Sequence, residues 1–323
     1  MKNDIKIVYM GTPEFAVPGL RKLVAHGYRV VAVVTTPDKP AGRGLRMQSS
    51  PLKKAAMDLE IPVLTPQSLR SDDFYDQLCQ LKPDLQIVVA FKKLPARIWQ
   101  LPPLGTFNLH ASLLPQYRGA APINWAIING ENLTGLTTFF INDKIDEGKI
   151  LLQTCIPIDE KMTAGQLHDA MLEPGADLIL QTVDGILNQT LTPKEQPLTP
   201  TLRPAPKIFR EDCQINWNKD VTEVFNFIRG LSPYPGAFTY FRLAGKTMVV
   251  KILETEKNSG NQSLKPGELT IFPKHQMCIG CQGGSLKILK LIPEGKKPMS
   301  AEEFLNGYSN KGDLIKIKQS VVD

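Results

Sequence analysis

The sequence predicts an α/β protein with a parallel sheet covered by helices on both faces, followed by a smaller β-barrel. Three observations carry this. Apolar, strand-like runs alternate with helix-like segments through the first half. Five prolines then fall between positions 193 and 206, a density that neither a helix nor a central strand tolerates. Beyond them, short alternating runs are separated by Gly/Pro turns.

Each element follows from local chemistry. Ile5-Lys6-Ile7-Val8-Tyr9-Met10 reads as a buried strand, rich in β-branched residues. Thr12 then serves as an N-cap with Pro13 at the first helical position, and this helix runs to about His26-Gly27. Val30 to Val34, Leu85 to Ala90 and Phe107 to His110 are further strand-like runs. From Asn188 to Pro206 the chain is a semi-rigid connector. After it come a helix over Val221 to Leu231 and strands over Ala237–Phe241, Thr247–Leu253, Glu268–Phe272 and Leu286–Leu291. A chain of 323 residues suits two domains, expected at 1–188 and 207–323 with the connector at 189–206.

Composition narrows the function. The chain lacks a run of about 18 apolar residues, so no membrane span is expected. The N-terminus enters a strand directly, without a signal-peptide pattern, which points to the cytoplasm. The five cysteines, an odd number, are expected to be reduced thiols. Cys278 and Cys281 form one C-x-x-C pair without a second, and in a strand their spacing puts the sulfurs on opposite faces, so a structural role is expected rather than zinc. The four histidines are scattered, none in H-x-x-x-H or H-E-x-x-H spacing. Net charge is +6, with +1 over residues 1–205 and +5 over 206–323. A basic second half suits a polyanionic partner.

The chemistry concentrates in Phe107-Asn108-Leu109-His110-Ala111-Ser112-Leu113-Leu114-Pro115 and the Arg118-Gly119 that follows. In a strand, residues i and i+2 share a face, so Asn108 and His110 project together. An amide can donate to a developing oxyanion. An imidazole can donate to the same oxygen or move a proton near neutral pH. A carboxylate from the polar stretch Asn142 to Leu151 could orient that imidazole, stabilise its protonated form or receive a proton itself. Ser112 lies near His110 but lacks the G-x-S-x-G elbow of a hydrolase nucleophile.

In combination, Asn108-x-His110, Ser112-Leu113-Leu114-Pro115-x-x-Arg118-Gly119 and Ile145-Asp146-x-Gly148 resemble the folate-dependent formyltransferase family. The likeness runs through nearly the whole chain, from Gly11-Thr12-Pro13-x-Phe15-Ala16 and Pro37 to Gly44 to Ile215-Asn216-Trp217 and Gly295 to Met299. The resemblance implies a Rossmann-like formyl-transfer domain followed by an OB-like barrel. It implies Asn108, His110 and Asp146 as the catalytic set. Ser112, Leu113, Leu114 and Pro115 would line the folate site, and the backbone from Val88 to Phe91 would flank the pterin. The implied co-substrate is 10-formyltetrahydrofolate, without a metal. The implied acceptor is initiator methionyl-tRNA, with neither DNA nor membrane as a partner.

Between Pro37 and Lys54 lie Lys39, Arg43, Arg46, Lys53 and Lys54 against the single acid Asp38, and Gly and Pro interrupt regular structure. This reads as a basic loop for the acceptor end of the RNA. Lys207, Arg210, Lys246, Lys287, Lys296 and Lys297 would add backbone contacts, with Trp217 and Tyr234 in the core. Lys92-Lys93 stands where the family often has glycine, either pairing with the folate's glutamate tail or facing solvent. The alternatives are a sister enzyme acting on an amino sugar nucleotide or glycinamide ribotide, a non-catalytic tRNA-binding protein, or a formate-releasing hydrolase.

Overall fold

The computed structural model describes residues 4–41, 46–243, 246–258, 264–273, 275–308 and 316–318. By internal contacts the chain divides into two compact units. The first comprises Met1–Gly119, Leu133–Pro157 and His168–Pro204, and the second Ala120–Asn132, Ile158–Leu167 and Ala205–Asp323.

The strands of the first unit are β1 (Lys6–Gly11), β2 (Arg29–Val34), β3 (Lys39–Ala41), β4 (Arg46–Gln48), β5 (Val63–Leu64), β6 (Leu85–Val89), β7 (Thr106–His110), β8 (Leu133–Phe140) and β9 (Ile150–Pro157). Seven of them form one sheet in the order β5-β2-β1-β6-β7-β8-β9, while β3 and β4 pair as a separate hairpin. From β5 to β7 every pairing is parallel. β8 and β9 join antiparallel, so the expected parallel sheet carries an antiparallel edge. Residues 141–149 are too few for a crossover, and β9 therefore returns as a hairpin. Strand order reverses on either side of β1, which leaves a crevice at the carboxyl ends of β1 and β6.

The sheet is buried on both faces. Ile7, Val8, Tyr9 and Met10 of β1 are fully buried, as the unbroken apolar run requires. Truncating a fully buried ring such as Phe107 to alanine costs about 3–5 kcal/mol in comparable cores. The helices of the first half are α1 (Val17–Ala25), α2 (Pro51–Asp58), α3 (Asp72–Leu81) and α4 (Ala96–Trp99). Thr12 does not cap a helix as expected. A 3-10 turn over Glu14–Ala16 follows Pro13, and α1 begins at Val17 with Pro18 in its first turn. Pro18 rather than Pro13 occupies the place where a missing N–H costs nothing.

Helix α5 (Pro122–Ile128), helix α6 (Ala164–Leu187), helix α7 (Val221–Leu231) and helix α8 (Ala301–Tyr308) follow. In the second unit, Asp220 caps α7 by accepting from the Thr222 N–H at 2.8 Å. Strands β10 (Ala237–Leu243), β11 (Lys246–Asn258), β12 (Leu269–Phe272), β13 (Gln276–Cys281), β14 (Gly284–Pro293), β15 (Met299–Ser300) and β16 (Lys316–Lys318) form an antiparallel sheet. Its order is β12-β13-β14-β11-β10-β16, with β15 on β14. Register shifts near Glu254 let the long β11 bend, consistent with the OB-like expectation. Trp217 is buried as expected and its indole N–H donates to Thr239 Oγ1 at 3.1 Å. Tyr234 corrects the reading: it is 82% exposed. It sits between two prolines in a turn, where neither helix nor strand directs it inward.

Cys281 belongs to the core of the second unit and Cys278 lies outside that cluster, in contact range of Asn258. Burial raises both thiols, Cys281 to about 12. Among the described residues, no helix is long and apolar enough to cross a membrane, and no group of three His, Cys, Asp or Glu side chains could hold a metal ion.

Candidate active site

Asn108 and His110 lie on β7, where residues of this spacing share a face. His110 is 6% exposed. Its Nε2 stands 2.8 Å from the Tyr117 carbonyl oxygen. A carbonyl only accepts, so Nε2 carries the proton, and Nδ1 bears a lone pair while the ring is neutral. Nδ1 lies 3.8 Å from Asp146 Oδ2. That is ion-pair range and too long for a direct hydrogen bond. His110 can therefore donate from Nδ1, as expected of an oxyanion ligand, only when the ring is cationic. Among the described residues the Asn108 carboxamide makes no hydrogen bond, and the residue is half-buried.

Asp146 reaches this place by a detour. Its loop leaves β8 where Phe140 pairs with Phe107 and Ile141 binds Thr106, three to four residues before His110. At about 3.3 Å per residue, the loop must fold back by roughly 10 Å along β7. Gly148 permits this: a Cβ there would lie 1.6 Å from the Phe140 carbonyl oxygen. Asp146 itself adopts a left-handed conformation with φ 55°. Its Oδ2 accepts from the Gly119 N–H at 2.9 Å, and Gly119 has φ 127°, which only glycine adopts readily.

The turn from Ser112 to Pro115 is held by its own polar groups. Ser112 Oγ donates to the Gln116 carbonyl at 2.6 Å. Thr137 Oγ1 donates to the Ser112 carbonyl at 2.6 Å and accepts from the Leu114 N–H at 3.1 Å. Gln153 Nε2 donates to the Leu114 carbonyl at 3.0 Å. Ser112, Leu114 and Pro115 are buried and Leu113 is half-buried against Gly135. At the end of β6, Val88 is buried, while Ala90 is exposed with φ 47° and Phe91 is half-buried. Lys93 Nζ donates to the Asp143 carbonyl at 2.8 Å rather than running free into solvent, and Lys92 is exposed.

Local sequence carries no sign of Gln196, from the proline-rich connector. Its Nε2 donates to the carbonyls of Asp146 and Gly148 at 2.8 and 2.9 Å. Its Oε1 accepts from Arg118 Nε and Nη2 at 3.1 and 2.7 Å. Arg118 also pairs with Glu147 at 3.2 Å. A cavity of about 470 Å³ adjoins this clasp, lined by Arg118, Lys144, Glu147, Gln196 and Leu202 among others.

The described part of the basic segment carries unexpected regular structure. Its ends form the β3–β4 hairpin, and Lys53 and Lys54 lie on α2, whose N-cap Ser50 accepts from the Lys53 N–H. Lys53 Nζ binds Asp38 Oδ2 at 2.8 Å, which holds the Asp38 carboxyl below its ordinary range. Lys39 and Lys54 are exposed. Arg43 lies outside the described residues, as does the side chain of Arg46.

The fold is that of a formyl transferase. Residues 5–183 match the formyl transferase family model and 207–309 match the formyl transferase C-terminal domain. The chain belongs to the methionyl-tRNA formyltransferase family. A methionyl-tRNA formyltransferase of Bacteroides fragilis is 48% identical over 311 residues, covering 95% of this chain and 96% of that protein. One of Porphyromonas gingivalis is 45% identical, covering 97% and 98%. The fold is shared with HypX from Aquifex aeolicus solved in complex with tetrahydrofolic acid, at 17% identity and TM-score 0.64, covering 94% of this chain and 47% of that one. It is shared also with WlaRD, a sugar 3N-formyl transferase, at 22% identity and TM-score 0.64, covering 91% and 99%. The chain is thus an enzyme of formyl transfer.

Proposed function

We propose that this enzyme moves the formyl group of 10-formyltetrahydrofolate to the α-amino group of initiator methionyl-tRNA. The observation that carries the reading is the Asn108 amide, without a hydrogen bond among the described residues, on the same strand face as His110, with Asp146 facing the imidazole at 3.8 Å. Relatives at 45–49% identity bear the name of this activity, and a neighbour of the same fold binds tetrahydrofolic acid. The residues suit a folate. Pairing of β6 with its neighbours ends at Val89, so the backbone polar groups of Ala90 and Phe91 lie past the ladder, where a flat, hydrogen-bonding ring can take them. The stiff Ser112–Pro115 turn offers the half-buried Leu113 as an apolar wall.

The folate supplies an electrophilic formyl carbon and an aryl-stabilised leaving nitrogen. The acceptor amine forms the new carbon–nitrogen bond and the bond to the folate nitrogen breaks. Asn108 donates to the formyl oxygen as negative charge grows there. His110 Nδ1 takes the proton of the attacking amine, Asp146 offsets the resulting charge, and the proton passes to the leaving nitrogen. Lys39, Arg43, Arg46 and Lys54 serve the RNA phosphates, and Lys53 is shared with Asp38. A cytoplasmic location fits this reaction.

The test is a transfer assay with labelled formyl-folate. Initiator Met-tRNA, elongator Met-tRNA, uncharged tRNA, an amino sugar nucleotide, glycinamide ribotide and water are offered in turn. Label on Met-tRNA supports the reading. Transfer to a small amine alone, or formate release alone, overturns it.

A further inference from the structure

Gln196 spends its whole amide on the Asp146 loop and Arg118. Both N–H groups go to the carbonyls of Asp146 and Gly148, and the oxygen takes two donors from Arg118. The orientation of the amide is fixed by chemistry, because carbonyls only accept and guanidinium only donates. The loop it grips needs a fastening. Asp146 is in the left-handed region and Gly148 is pressed against the Phe140 carbonyl. The connector reaches the other half of the pair as well: the Arg203 carbonyl accepts from the Tyr117 N–H at 2.7 Å, and Tyr117 is the acceptor for His110 Nε2.

We propose that Gln196 is a positioning residue for formyl transfer, holding the Asp146 carboxylate at its distance from His110 by fixing the loop backbone at Asp146 and Gly148. The proposal rests on the reaction inferred above. Gln196 touches no reacting atom. Its effect passes through the loop carbonyls and Arg118, so its loss should lower turnover and leave substrate binding nearly as it was.

Two variants separate the contacts. Gln196→Met removes all four hydrogen bonds at similar length. Gln196→Glu keeps an acceptor for Arg118 but turns an anion toward two carbonyls. Steady-state kinetics with formyl-folate and Met-tRNA are run beside the native enzyme, with urea unfolding as the fold control. The expected result is a fall in kcat of roughly tenfold to a hundredfold in both, with KM for either substrate within about threefold. If Gln196→Met fails to fold, the same split in Gln196→Glu supports the proposal. Native kcat in a folded variant overturns it, and so does a raised KM at unchanged kcat, which would mark a binding residue. A native enzyme inactive on Met-tRNA overturns the reaction itself and is distinguishable at once.

Discussion

Gly148→Ala tests whether activity depends on the fold-back of the Asp146 loop. The added Cβ would lie 1.6 Å from the Phe140 carbonyl oxygen and 2.8 Å from its carbon. Ordinary contact begins near 3.4 Å, so the two backbones must part by the difference from 1.6 Å, roughly 1.8 Å. Phe140 belongs to β8, which is paired on both sides, by β7 and β9. The loop is the part that yields, and Asp146 lies two residues before the substituted position. A displacement of about 1 Å can cost on the order of a hundredfold in rate. The overpacking itself should cost about 1–3 kcal/mol, against a domain stability of about 5–15 kcal/mol, so the protein stays folded. Formyl-transfer kinetics with urea unfolding monitored by circular dichroism measure both effects. A folded Gly148→Ala enzyme with kcat within about threefold of native would refute the view that the loop's path sets the reaction geometry.

Asn108→Ala should lower kcat on the order of a hundredfold and shift stability by no more than about 0.5 kcal/mol, since its amide makes no hydrogen bond among the described residues; native turnover would remove Asn108 from the chemistry. Replacing exposed Lys39 and Lys54 with alanine should flatten the dependence of log tRNA affinity on log salt by about 0.7–0.9 for each phosphate no longer neutralised; filter binding at several salt concentrations checks this, and an unchanged slope counts against the surface. The Lys53 ammonium bonded to Asp38 depresses that carboxyl below its usual 3.8. A group lowered in the folded state stabilises above its unfolded value and loses that contribution as pH falls through the folded one. The difference in urea midpoint between native and Lys53→Met protein should therefore be present near pH 6 and be lost as pH falls through the lowered Asp38 value, below 3.8. A difference that persists there would assign Lys53 a packing role instead.

What the sequence reveals follows the range of the interactions involved. Asn108 and His110 are two residues apart on one strand, so period-two spacing places them together without tertiary knowledge. The helix Val221–Leu231 is legible because Asp220 and a clean apolar face bound it. Asp146 requires the motif likeness, since its approach to His110 depends on a loop that doubles back. Gln196 is out of reach: its partners lie 48, 50 and 78 positions away. A glutamine among prolines carries no local signature of them. For α2 the Ser50-Pro51 start signal is present, but counting cations across Pro37 to Lys54 hides it, and with it the Lys53–Asp38 bond. Thr12-Pro13 shows the reverse failure, a start signal answered by a 3-10 turn because Pro18 offers a second one nearby.

The tether from His110 to the Tyr117 carbonyl makes the imidazole a one-way device. With the Nε2 edge of the ring committed, a tautomer swap would lose a buried hydrogen bond and set a ring lone pair against the Tyr117 carbonyl oxygen. While the ring is neutral its open lone pair faces the carboxylate side, so it must take up a proton there before it can give one. While the ring is neutral, a compound that accepts a hydrogen bond would meet no donor at the Nδ1 edge, whereas an amine or amidine would be met at once.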